Sequence, residues 1–302
     1  MIKIKTAVVL VLAAIVSGPA MAQQASATLD KIKQTGVVTI GYREASIPFS
    51  YLDNNQKSVG FAMDICAKVV EAIQKQPGME KVKVNFTPVT SATRIPLIAN
   101  GTVDLECGST TNNVERQKQV AFTNTHYLTA SRFVSKKDAK LNTIADLAGK
   151  QVVSTGGTTN IGQLTAVNAE KNLGIRIMSA KDHAEAFLLV ETGRAAAFVM
   201  DDILLSSLIA GSKSPGDYVI SEDAFSLPEP YGIMLRRDDP GFKAVVDKAT
   251  ADLYKSPEMA TLYAKWFTSP IPPRNLNLNI PLSPAMDKMF KQPNDSGDPS
   301  TY

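Results

Sequence analysis

An internal echo restricts this chain to few architectures. Leu97-Ile98-Ala99-Asn100-Gly101 leads into a run ending Glu106-Cys107-Gly108, and Leu189-Val190-Glu191-Thr192-Gly193 leads into a run ending Met200-Asp201-Asp202. Each segment reads as a helix, a glycine stop, and a short strand whose C-terminal end presents polar groups. The flanking sequence repeats the same grammar. Residues 37–42 predict a strand, 61–74 a helix with Ile65, Cys66, Val69, Val70 and Ile73 at helical spacing, and 82–86 a half-buried strand. Thr90 or Ser91 is positioned to cap a helix through Ile95, Leu97 and Ile98, with 103–107 extended beyond Gly101. From about Leu141 onward, 151–154 predict a strand, 161–172 a helix stopped by Gly174, and 175–179 a strand. The alternation predicts two α/β lobes. In open α/β sheets ligands collect beyond the carboxyl ends of the strands, so two such edges facing one another would form a cleft. Matching loops in any repeated α/β fold would give the same echo without a site.

Beyond the second lobe, 231–236 predict a strand, and 242–254 and 259–267 amphipathic helices, the latter with the only tryptophan, Trp266. These helices are expected to complete the first lobe. Residues 294–302 are polar and carry Pro and Gly, and are expected to be a loose tail. At the other end, Lys3 and Lys5 precede an apolar run over 6–16 and then Ala20-Met21-Ala22, so 1–22 reads as a signal peptide and the mature chain begins at Gln23. The run is too short to span a bilayer, and no cysteine follows it to carry a lipid anchor. The expected destination is therefore the periplasm. Without Lys3 and Lys5 the chain holds 30 basic side chains against 29 acidic ones, a net charge of +1. Nucleic acid is an unsuitable partner for so balanced a chain.

Few chemistries remain. The two cysteines, Cys66 and Cys107, and the two histidines, His126 and His183, have no zinc-ligand spacing, and no Walker loop, G-x-S-x-G elbow or H-E-x-x-H motif is present. No metal or cofactor is expected. Cys66 falls in a predicted helix and Cys107 at a strand end; an oxidising compartment allows them to pair, and two buried free thiols fit the sequence as well. Arg43 follows the first strand, Arg94 lies in the first turn after Ser91, and Arg116 begins a helix-like segment after Ser109-Thr110-Thr111. Any one of these arginines alone is equally a solvated surface charge. Together, beside Ser91, Ser109 and Thr111, they suit a small polyanion, because guanidinium groups grip carboxylates as bidentate forks. In the second lobe, Ser154-Thr155-Gly156-Gly157-Thr158-Thr159-Asn160 runs from a strand into a helix, and its glycines let backbone amides approach a ligand. His183 follows a strand and could simply cap or pack. Asp201 could accept from an ammonium and Asp202 could cap a helix; spacing does not choose between them.

With Arg43 in Gly-Tyr-Arg-Glu, Ser91 with Arg94, the block Glu106-Cys107-Gly108-Ser109-Thr110-Thr111-Asn112-Asn113-Val114-Glu115-Arg116, Ser179-Ala180-Lys181-Asp182-His183, Met200-Asp201-Asp202 and Ile271-Pro272-Pro273-Arg274-Asn275-Leu276-Asn277, the chain resembles the periplasmic glutamate/aspartate-binding proteins of the polar amino-acid ABC importers, solute-binding protein family 3. The likeness covers essentially the whole mature chain; Cys66 has no place in the family pattern. It implies an α/β, type II periplasmic-binding-protein fold, with two lobes joined by a two-strand hinge. Lobe one would comprise 23–133 and 230–302 and lobe two 134–229, with crossings near 131–135 and 228–232. It further implies that Arg116, Ser109 and Thr111 hold the α-carboxylate of L-glutamate or L-aspartate, and that Asp201 and Thr159 meet the α-ammonium. Arg43, Ser91, Arg94 and His183 would receive the side-chain carboxylate. The expected protein is a non-enzymatic monomer that delivers its ligand to an ABC permease. Two rivals share the fold. A dehydratase acting on a cyclic dicarboxylate would need a cleft acid such as Glu44 or Glu106, and a ligand sensor would differ only in its membrane partner.

Overall fold

A computed structural model describes Ile2 and residues 25–302. Apart from Ile2, the expected signal peptide lies outside the described residues. After α1 (Ala27–Thr35) come β1 (Val37–Tyr42), a small sheet of β2 (Ala45–Ser46), β3 (Ser50–Leu52) and β4 (Ser58–Val59), then α2 (Phe61–Gln74), β5 (Lys83–Pro88), α3 (Arg94–Ala99), β6 (Leu105–Cys107), α4 (Val114–Gln117) and β7 (Val120–Phe122). β8 (Tyr127–Thr129) leads into a second lobe of β9 (Ser131–Lys136), β10 (Gln151–Thr155), α5 (Thr159–Glu170), β11 (Arg176–Ala180), α6 (His183–Glu191), β12 (Ala197–Asp201), α7 (Asp202–Gly211) and β13 (Tyr218–Ile220). β14 (Glu229–Tyr231) returns to lobe one, which is completed by β15 (Met234–Arg236), α8 (Pro240–Lys255), α9 (Pro257–Phe267) and α10 (Pro284–Lys291).

The two lobes share one plan. Lobe one has the strand order β5-β1-β6-β15-β7 and lobe two β11-β10-β12-β9-β13. In each, three parallel strands come first, followed by a strand antiparallel to the third. Parallel β-α-β crossovers leave both sheets with their carboxyl edges on one side, and those edges face each other across the cleft.

β8 and β14 pair antiparallel, Glu229 opposite Thr129 and Tyr231 opposite Tyr127, and form the two-stranded connection between lobes. The first crossing therefore falls at 127–129, earlier than the expected 131–135. Residues 131–136 are already β9, hydrogen-bonded to β12 and β13 of lobe two, so a boundary at 133 would cut a strand of that sheet. The single strand expected over 231–236 is likewise two strands. Its first part pairs in the connection and its second in lobe one's sheet, and the change of partner occurs at Gly232, where a Cβ would lie 3.0 Å from the Phe122 ring. An aromatic cluster holds the connection on the lobe-one side. Phe49 meets Tyr127 and Tyr231 edge-on at 5.0 and 5.2 Å, and Tyr127 stacks on Phe267 at 5.2 Å.

Cys66 of α2 is disulfide-bonded to Cys107 at the end of β6, which resolves the open choice at these thiols. The bridge closes a sequence separation of 41 residues, about 3–4 kcal/mol of stabilisation in the chain-entropy view. It pins the strand end that precedes Gly108 and Ser109. Near the C-terminus, α8 packs on α1 and α2, and Trp266 of α9 donates from Nε1 to Asp64 of α2 at 2.8 Å.

Residues 294–302, expected to be loose, are docked on lobe one. Asn112 and Gln117 both donate to the Asp295 carbonyl at 2.9 Å, the Tyr302 hydroxyl meets that of Thr125 at 2.7 Å, and Gly297 lies where a Cβ would be 2.8 Å from the Asn113 backbone. Composition alone suggested mobility, but these side-chain amides hold the backbone of the segment.

Candidate functional site

Every candidate side chain sits at a carboxyl edge. In lobe one, Arg43 follows β1, Ser91 and Arg94 follow β5, and Ser109, Thr111 and Arg116 follow β6; in lobe two, Thr159 follows β10, His183 follows β11 and Asp201 ends β12. The lobes meet over a nearly shut cleft, with a cavity of about 10 Å³, lined by Ser91, Arg94, Ser109, Thr111, Thr159, His183 and Asp201, with Thr158, Asn160, Met200 and Leu204. Arg43 and Arg116 stand beside this lining and are bonded into it.

At one end, the buried Arg43 donates from Nη2 to Ser91 Oγ at 2.9 Å and lies 3.5 Å from His183 Nε2. A guanidinium only donates, so His183 Nε2 accepts, and its proton sits on Nδ1, 2.9 Å from the Thr155 hydroxyl. Burial, then the charges of Arg43 and Arg94, hold the His183 pKa well below the ordinary imidazole value, so the ring is neutral. In this arrangement His183 meets Arg43 while also facing the cleft, where the resemblance implies a carboxylate contact. The expected cap on α3 also resolves differently. Thr93 occupies the cap position, the Thr90 hydroxyl accepts from the Thr93 amide, and Ser91 is thereby free to face the cleft.

At the other end, Arg116 rides on the short α4, whose start is capped by the Asn113 side chain accepting from the Arg116 amide at 2.8 Å. Its Nη1 donates to the Thr111 carbonyl at 2.8 Å and its Nη2 crosses to the Gly157 carbonyl of lobe two at 3.3 Å. Gly157, at φ +80°, lies so near lobe one that a Cβ would sit 2.6 Å from Ala92 Cα. Thr111 and Thr159 bring their hydroxyls to 3.4 Å across the same gap. Asp201, 3% exposed, accepts from Asn160 Nδ2 at 2.7 Å and from the Tyr231 hydroxyl on the connecting strand. Asp202 turns away, accepting from the Thr129 hydroxyl at 2.7 Å, so the two neighbouring carboxylates divide between cleft and connection.

The site gathers three buried guanidinium groups. Burial lowers the Arg43 guanidinium to about 10 and that of Arg116 to about 9, with the Arg94 charge adding to both shifts. All three remain charged at neutral pH. Burial raises Asp201, and burial followed by the Asp201 charge raises Glu229 of β14, so the two carboxyl groups resist ionising together. Arg43 Nη1, Arg94 Nε and the Ser109 hydroxyl are buried with no hydrogen-bond partner among the described residues. Donors of this kind require acceptors, and two carboxylates with an ammonium between them would satisfy both ends of the cleft.

The parts that four residues play in shaping the site are not legible in the sequence. Tyr231 and Asn160 hold Asp201, the Thr155 hydroxyl pairs with His183 Nδ1, and Glu106 lies behind Arg94. Asn160 and Thr155 fall within the glycine loop already singled out, whereas Tyr231 reaches Asp201 only through the pairing of β14 with β8.

The family model of the bacterial extracellular solute-binding proteins, family 3, matches residues 38–269. The L-glutamate/L-aspartate-binding protein of Pseudomonas aeruginosa is 50% identical over 286 residues, with 94% of each chain covered. The glutamate/aspartate import solute-binding protein of Escherichia coli is 47% identical over 274 residues, covering 91% of this chain and 90% of that one. Among solved structures, an ancestral arginine-binding protein bound to arginine superposes with a TM-score of 0.69 at 28% identity, covering 77% of this chain and 98% of that one.

Proposed function

Because the chain belongs to family 3 of the bacterial extracellular solute-binding proteins, we propose that it captures L-glutamate or L-aspartate between its lobes and hands the ligand to the membrane subunits of an ABC importer. The observation that carries this reading is the set of three buried arginines converging on one cleft opposite the paired Asp201. Arg116, Ser109 and Thr111 take the α-carboxylate, Asp201 and Thr159 the α-ammonium, and Arg43, Ser91 and Arg94 the side-chain carboxylate, with His183 holding Arg43 in place. A cationic ligand such as arginine would face the three guanidinium groups. Glutamine would leave one of them without its counter-charge, typically at a cost of ~3–5 kcal/mol.

The arrangement favours capture over catalysis. Glu44 is exposed and off the cleft lining, and Glu106 is buried against Thr110, so neither offers a free acid to a substrate. Release follows from hinge bending at β8 and β14, which would separate Arg116 from Gly157 and Thr111 from Thr159. We place the mature protein in the periplasm as a monomer, after removal of residues 1–22.

Thermal unfolding tests the assignment. A ligand bound only by the folded state stabilises by about 4 kcal/mol at a thousandfold excess over Kd, which for a chain of this size raises Tm by roughly 8 °C or more. Glutamate and aspartate are expected to give shifts of this order, glutamine and asparagine far smaller ones. Equal shifts from glutamate and glutamine would defeat the proposal.

A further inference from the structure

We propose that Glu106 is the built-in counter-ion of the three arginines and sets the net charge of the ligand that the cleft accepts at minus one. Glu106 is the middle residue of β6 and is fully buried. Its Oε2 accepts from the Thr110 hydroxyl at 2.7 Å, and the same hydroxyl accepts from Arg94 Nη1 at 2.5 Å, so Thr110 bridges cation and anion. Arg94 Nη1 also stands 4.0 Å from Glu106 Oε1, which has no hydrogen-bond partner among the described residues. Gly108 makes the arrangement sterically available, since a Cβ there would lie 2.5 Å from Glu106 Oε1 and 3.0 Å from Arg43 Cγ. The carboxylate favours the charged form of all three guanidinium groups, so its field reaches both ends of the cleft.

Charge counting then decides what fits. Three guanidinium groups against Glu106 and one charge on the Asp201–Glu229 pair, whose burial and mutual repulsion disfavour ionising both, leave one positive charge. An acidic amino acid with its ammonium carries one negative charge and neutralises the site. Glutamine leaves the positive charge uncompensated, and a dicarboxylate without an ammonium brings one negative charge too many into a buried space. Glu106 lies outside the cleft lining and acts through Arg94 and Thr110, so it is a positioning and charge-setting residue and not a ligand contact.

The inference rests on the acidic-amino-acid reading, and the experiment separates the two. Ligand-free wild type and Glu106→Gln are titrated with L-glutamine, L-glutamate and glutarate, which have net charges of zero, minus one and minus two, at fixed pH and ionic strength. The substitution is expected to change affinity in the order of ligand charge, glutamine least and glutarate most. The glutarate-to-glutamate affinity ratio should rise roughly tenfold or more, as a unit charge acting at close range in a dry site would require. Glu106→Asp, which keeps the charge, should restore the wild-type order. A uniform loss across the three ligands would show a structural role only and overturn the proposal. The unsubstituted protein gives a second reading should Glu106→Gln not fold: it is expected to bind glutarate more weakly than glutamate, and equal affinities would refute the charge assignment. Failure of wild type to bind glutamate at all would instead break the functional reading, and this inference with it.

Discussion

In Arg116→Ala, glutamate, aspartate and glutamine should all lose affinity together, by roughly two to three orders of magnitude. Arg116 is placed to grip the group that every amino acid carries. Two of its donors are committed, one to the Thr111 carbonyl and one across the gap to Gly157, and the rest of the five-donor fork is available for a carboxylate. Its amide is held by the Asn113 cap, and the C-terminal segment docks on the flanking Asn112 and Gln117, so little conformational freedom is lost when it binds. Truncation removes the bidentate partner of the α-carboxylate and one of the bonds that close the lobes. Titrating the purified variant with the three ligands measures the loss. A loss confined to the acidic ligands would move Arg116 to the side-chain end of the cleft.

Arg94→Ala should instead discriminate between ligands. Arg94 has a buried Nε with no partner among the described residues, while its Nη1 is held by Thr110 in front of Glu106. Without it, the side-chain carboxylate loses a charge partner in a buried site, and glutamate is expected to weaken several hundredfold. Glutamine lacks that charge and should weaken much less, so the preference for glutamate over glutamine collapses. Affinities of both ligands for the variant and the wild type decide the matter. If both weaken by one factor, specificity resides in Arg43, which His183 and Ser91 hold at the same end.

What could be read from sequence and what could not divide along a physical line. The strand–helix alternation, the glycine stops and the polar strand ends are local, so they placed Arg43, Arg94, Arg116, His183 and Asp201 on carboxyl edges before any pairing was known. Interactions that depend on distant segments were beyond reach. Tyr231 meets Asp201 only because β14 pairs with β8, and Cys66 meets Cys107 only because α2 packs on β6. The early crossing at 127–129 is a matter of strand pairing that hydrophobic pattern does not encode. Residues 294–302 show the same limit: their composition is that of a free tail, but Asn112, Gln117 and Thr125 supply partners from far along the chain. Glu106 was visible only as a candidate acid. Its proximity to Arg94, and with it the charge balance of the cleft, required both sheet and turn to be in place. Residues adjacent in sequence can still be assigned opposite duties by tertiary structure, as Asp201 and Asp202 are.

The central claim is that this cleft selects a small acidic amino acid through paired charge. Calorimetric titration of the protein with each of the twenty amino acids, after removal of co-purified ligand by unfolding and refolding, tests it most directly. The account predicts saturable one-to-one binding of L-glutamate and L-aspartate, with glutamine and asparagine weaker by roughly a hundredfold or more, as the loss of one buried charge partner requires. Glutamine binding as tightly as glutamate, or a basic amino acid binding more tightly than either acidic one, would contradict it.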